Sequence, residues 1–202
     1  MKRSLLQQEL IDSDEFIVIL FTISESHIRK SGRMATHIGG RAMTKIVVEA
    51  TDIIHASPQV TYNVLADYQV GHKAILPKPF FKGMDVLEGG RGAGTRVKVY
   101  MAGAMGRTRT MEMVASEPEP GHILMERDQG SDLVTTFTVE PVNDGTESRV
   151  TIKTVFSARN GISGMAERIF NPSMMRYVFK VELRKLDKYA QDKKETGSRA
   201  FG

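Results

Sequence analysis

Any chemistry done by this chain of 202 residues falls to histidines, carboxylates, amines, guanidiniums and hydroxyls, because it contains no Cys. That absence removes thiol nucleophiles, thiolate metal sites and a disulfide framework together. The five histidines, His27, His37, His55, His72 and His122, fall at no HExxH or comparable ligand spacing. No metal site is read from them, and each is expected on the surface or in a hydrogen bond. GISG (Gly161 to Gly164) is too short a match to a GxSxG nucleophile elbow, and it opens a helix after a meander strand.

The polar side chains best placed for chemistry lie between Thr95 and Ser116, and the hairpin register decides where they point. Pairing Ala102 with Arg107 across GAMG would set Thr110, Glu112 and Val114 on the face of Val97, Val99 and Met101. A slip of one residue would put Arg107, Arg109, Met111 and Met113 there instead. Glu112 or Arg109 in an apolar pocket would anchor a polar group and could serve as acid, base or oxyanion partner. Both are therefore catalytic candidates, with Tyr100 and Tyr177 as further hydroxyl donors; the alternative, that these charges face water, stays open.

A second chemical signal is GGRGAGT, with glycines at 89, 90, 92 and 94. A dinucleotide loop needs GxGxxG between a strand and a helix whose N-terminus holds the pyrophosphate. Here the spacing is GxGxG, and TRVKVYM follows with the alternation of a strand. The glycines are read as a connection between antiparallel strands, and no nucleotide or other cofactor is assigned.

The elements that must position these residues are clear from Lys45 onward. Lys45 to Ala56 reads as a strand, Ser57-Pro58 as an N-cap and first helical residue, and Val60, Val64 and Leu65 as the stripe of a short helix. A second short helix or turn spans Tyr68 to Ile75. Six strands follow, at Phe80 to Glu88, Thr95 to Ala102, Arg107 to Ser116, His122 to Asp128, Leu133 to Val142 and Ser148 to Ala158. GGRGAG, GAMG, EPEPG, DQGS and NDGT separate them, so the strands form an antiparallel meander. Leu133, Thr135, Phe137 and Val139, like Val150, Ile152, Thr154 and Phe156, alternate as one buried face. Beyond Asn160 apolar residues recur at helical spacing for about thirty residues, with Pro172 expected to kink or break the helix. Only the concave face of the sheet is large enough to cover that stripe.

Composition supports a globular domain, with 41% hydrophobic and 26% charged residues. The net charge of +4 gathers toward the C-terminal end. No aromatic residues interleave with the basic run, so no nucleic-acid partner is expected. Phe16 to Ile23 is apolar but too short to cross a bilayer, and acidic residues precede it, unlike a secretory signal. Residues 1–43 are read as an N-terminal extension, disordered or an over-long translation start, 44–195 as one folded domain, and 196–202 as a flexible tail. The default location is cytoplasmic.

The order strand, two short helices, six antiparallel strands and long helix resembles the helix-grip fold, an α+β class. IHASPQVTYNVLAD (Ile54 to Asp67), VLEGGRGAGT, EPEPG, DGTESRVTI and LRKL make the chain similar to the polyketide cyclase/dehydrase and lipid-transport branch of the superfamily holding START domains and the major birch-pollen allergen. Many relatives carry Trp on the first helix and after the second; here Tyr62 and Phe80 or Phe81 stand in. The resemblance implies an apolar cavity between a curved sheet of about seven strands and the C-terminal helix. Candidate ligand-binding residues are Val97, Val99, Met101, Phe137, Phe156, Met165, Phe170, Met174 and Tyr177. It also implies a binding or carrier module for a hydrophobic small molecule (lipid, isoprenoid or polyketide-like), or alternatively a cyclase/dehydratase-type enzyme using the same cavity. Transient contact with a membrane and the oligomeric state are left open.

Overall fold

A computed structural model describes residues 45–103, 106–157 and 172–199. The expected extension at 1–43, and Met165 and Phe170, lie outside those residues.

The described elements run β1 (Lys45–Ile54), α1 (Pro58–Ala66), α2 (Gly71–Ile75), β2 (Phe81–Glu88), β3 (Arg96–Ala102), β4 (Thr108–Glu119), β5 (Ile123–Asp128), β6 (Val134–Val142), β7 (Glu147–Ser157) and α3 (Pro172–Arg199). The seven strands form one antiparallel sheet in the order β1-β7-β6-β5-β4-β3-β2. Consecutive strands from β2 to β7 are neighbours, which the glycine-rich turns make possible, whereas β1 pairs with β7 at the far edge. This is the α+β helix-grip arrangement expected from the element order.

Local rules explain the helix starts. Ser57 Oγ accepts from the Val60 amide at 3.5 Å and Pro58 is the first residue of α1. Pro172 is the first described residue of α3. α3 continues to Arg199, past the expected domain end at residue 195. Its stripe of Met175, Phe179, Leu183, Leu186 and Ala190 is buried. The helix packs against β1, α1 and α2.

Inward-facing residues of every strand meet that helix in one core, with Val48 on β1, Leu124 on β5 and Val150 on β7 fully covered. Burying each such side chain stabilises the fold by roughly 1.5–3 kcal/mol. Gly71 lets α2 sit on α1, because a Cβ there would lie 2.6 Å from the Val64 carbonyl oxygen. No helix among the described residues is long and apolar enough to cross a membrane.

Candidate ligand-binding site

The inner face of the sheet, α2 and α3 line a cavity of about 90 Å³. Five methionines, Met84, Met101, Met111, Met113 and Met175, line it together with Phe81, Phe137 and Phe179. Unbranched thioethers adjust to the shape of whatever they contact, so this lining suits apolar ligands of varied outline.

Three ionisable side chains interrupt the apolar wall: His72 from α2, Glu126 from β5 and Glu182 from α3. Among the described residues no Lys or Arg lines the cavity. All three are buried, with exposures of 3%, 9% and 4%. Tyr68 donates its hydroxyl to Glu126 Oε1 at 2.7 Å. Burial first, and the Glu126 charge second, push the Tyr68 phenol far up, so it remains a neutral donor.

His72 is held from three sides. Its Nδ1 lies 2.7 Å from the Leu65 carbonyl oxygen, an acceptor, so that nitrogen carries the proton. The ring stacks on Tyr68 with centroids 4.8 Å apart and meets Phe137 edge-on at 5.5 Å. Nε2 consequently faces Glu126 Oε1 at 3.6 Å, too long for a hydrogen bond but close enough for charge to be felt.

Glu182 differs from Glu126 in having no hydrogen-bond partner among the described residues. Desolvation, reinforced by the charge on Glu126, pushes its carboxyl up to about 8. The two carboxyls thus share one cavity in unlike environments, one supplied with a phenolic donor and one without.

The glycine-rich loop supports this cluster from behind. Gly90 O accepts from the Tyr68 amide at 3.0 Å and the Gly92 amide donates to Ala66 O at 2.9 Å, clamping the segment that joins α1 to α2. Gly90, at φ +128°, leaves no room for a Cβ because the Gln69 side chain fills that space. One amide of the loop does hold an anion, although the anion belongs to the chain. Glu117 accepts from Ala93 N at 2.7 Å through Oε2 and from the Tyr62 hydroxyl at 2.7 Å through Oε1.

The hairpin register pairs Ala102 with Thr108, Met101 with Arg109, Val99 with Met111 and Val97 with Met113. This is the alternative that puts Met111 and Met113 beside the valines, and it turns Glu112 to the outer face. There Glu112 accepts from Arg96, which also bonds Glu88 at 3.1 Å. Arg109 sits half-buried opposite Met101 at the strand end, beyond the residues that line the cavity. Neither Glu112 nor Arg109 is among the described residues that line the cavity.

Of the expected ligand contacts, Val99, Met101 and Phe137 line the cavity. Val97 and Phe156 face the same side of the sheet and are buried in the core without lining it, and Met174 is half-buried on α3. Tyr177 is 38% exposed and packs edge-on against Phe80 at 6.0 Å, away from the lining, because it lies off the buried stripe of α3. Tyr100 faces outward and donates to Asp85 at 2.8 Å. His72, Glu126, Glu182 and Tyr68 were not singled out. Parity was the available signal: Glu126 shares its strand face with Leu124, and Glu182 falls in the helical stripe of Met175, Phe179 and Leu186.

Comparison with known proteins agrees with this architecture. The KanY protein, known from an NMR solution structure, is 31% identical over 74% of this chain and 99% of its own, with a TM-score of 0.63. The Zhui aromatase/cyclase from Streptomyces sp. R1128 is 18% identical, covering 79% and 99% of the two chains, with a TM-score of 0.56. A START superfamily protein from Mycobacterium smegmatis is 12% identical, covering 72% and 97%, with a TM-score of 0.52. At those last two identities the likeness is one of fold. No curated protein matches significantly. The family model described as polyketide cyclase/dehydrase and lipid transport matches residues 45–191, from the first residue of β1 through most of α3. The chain accordingly belongs to the polyketide cyclase/dehydrase and lipid-transport family, with the START-like helix-grip fold.

Proposed function

We propose that this domain binds a small hydrophobic molecule in the cavity between the sheet and α3, as a binding or carrier module. The observation that carries the reading is a methionine- and phenylalanine-lined cavity whose ionisable groups, among the described residues, are His72, Glu126 and Glu182. An apolar enclosure with a few convergent polar groups is the usual form of a small-molecule site. Lipid, isoprenoid and polyketide-like ligands all fit that description, and family membership supports the same range. Organic extraction of the purified full chain, followed by mass spectrometry, tests it. Recovery of a stoichiometric apolar compound is expected; an empty protein that also fails to bind short-chain amphiphiles would overturn the reading.

A second reading, proton-transfer catalysis on a polyketide-like carbonyl substrate, is favoured by Glu182. A carboxyl pushed up to about 8 keeps its proton near neutrality and could pass it to a bound oxygen. The acid-base work would then belong to Glu182 and its neighbours rather than to Glu112 and Arg109. Turnover of a linear poly-β-ketone abolished by Glu182→Gln would support it, and unchanged turnover would remove it.

A further inference from the structure

Resting on the binding reading above, we propose that the ligand carries a protonated amine on a short apolar body, the ammonium seated between Glu126 and Glu182. Two carboxyl groups enter this cavity and no Lys or Arg lines it among the described residues. One imidazole, His72, stands by Glu126 at 3.6 Å and can offset one negative charge at most. Glu182 is 4% exposed, lines the cavity and lacks a hydrogen-bond partner among the described residues. A buried carboxyl without a partner is costly, and a cation entering beside it removes the cost.

Among the described residues, the surroundings add no rival cation. Glu182 shares the cavity with Glu126 from β5 and His72 from α2, and Glu126 in turn accepts from Tyr68 in the segment between the helices. Tyr62 on α1 is engaged with Glu117, and Glu49 and Asp52 on β1 are exposed. Thr135 and Thr154 bond each other at 2.8 Å. The remaining lining is methionine, phenylalanine and aliphatic side chains, which accommodate an alkyl body and cannot satisfy an anion. A carboxylate ligand would set a further negative charge beside Glu126, and an alcohol would bring Glu182 no cation.

Proton linkage gives the idea a distinctive signature. Glu182 holds its proton at pH 7, so an ammonium that pairs with it must expel that proton. Isothermal titration of the full chain with hexylamine, hexan-1-ol and sodium hexanoate, in two buffers of different ionisation enthalpy, reads both selectivity and proton release. Hexylamine is expected to bind at least about tenfold tighter than hexan-1-ol, and hexanoate weakest. About one proton should leave per amine bound, with affinity rising about tenfold from pH 6 to pH 7 and levelling above pH 8. Glu182→Gln should abolish the proton release and bring hexylamine to the affinity of hexan-1-ol. Binding of all three probes without preference for the amine, or without proton release, overturns this inference and leaves the cavity reading standing. Failure of all three to bind overturns the cavity reading as well. The ranking of probes is read on the unmodified protein, so it does not depend on the variant folding.

Discussion

The hydroxyl of Tyr68 lies 2.7 Å from Glu126 Oε1, and this one bond joins the segment behind the first helix to the middle of the sheet. Both residues are buried, so the carboxyl of Glu126 relies on that donor in place of water. Tyr68→Phe keeps the ring that stacks on His72 and removes only the donor. Urea unfolding should show a loss of about 1–3 kcal/mol, the cost of leaving a buried acceptor unpaired.

Stability should also depend on pH through Glu182. Its carboxyl rises from an ordinary 4.5 to about 8 in the folded protein, so between those values the folded state binds more protons than the unfolded one. Stability therefore falls as pH rises through that interval and levels above it. Glu182→Gln removes the penalty, and the variant should gain on the parent protein between pH 5 and pH 8.5 by a few kcal/mol at most, measured by urea unfolding at both values.

The glycine loop predicts an ordered pair of effects. Gly92 has φ +58° and a Cβ there would strike the Glu117 carboxylate, whereas Gly94 has φ +80° with nothing within 4 Å. Gly94→Ala should cost about 1–2 kcal/mol of backbone strain alone. Gly92→Ala should cost more, and it should weaken cavity binding because the same loop clamps the Tyr68 backbone. Thermal unfolding of the two variants checks the order.

Glu112 provides the contrasting case. Its partnership with Arg96 lies on the outer face, with side-chain exposures of 36% and 40%. Glu112→Gln should change stability by no more than about 1 kcal/mol. Hexylamine affinity measured by calorimetry should stay within twofold of the parent value; a larger fall would mean that the outer face communicates with the cavity.

The strands were legible because alternation and turn chemistry are local. Phe137 and Ile152 had to share a face, and the glycines at 89 to 94 had to turn the chain. The hairpin direction was not legible, since two registers differing by one residue present equally reasonable faces until Met111 is seen beside Val99. The acid cluster was hidden for another reason. Glu126 sits in ILMERD and Glu182 in VELRK, where charges ordinarily mark the solvated side of an element. Their burial follows from tertiary pairing of β5 with α3 across the cavity, which no window of one element contains. His72 was equally unremarkable until α2 brought it between Leu65 and Phe137.

The sheet order has a consequence for when the binding site can exist. Strands β2 to β7 close by neighbouring hairpins, which need little loop entropy, but β1 waits for β7, about a hundred residues later in the chain. The helix that carries Glu182 is made later still. During synthesis the meander can assemble on its own contacts while the cavity has neither its far edge nor its cover. Apolar surfaces on Met111, Met113 and Phe137 then stay open until the last helix arrives, so the ligand pocket is among the last features to form and the C-terminal helix is what ends its exposure to aggregation.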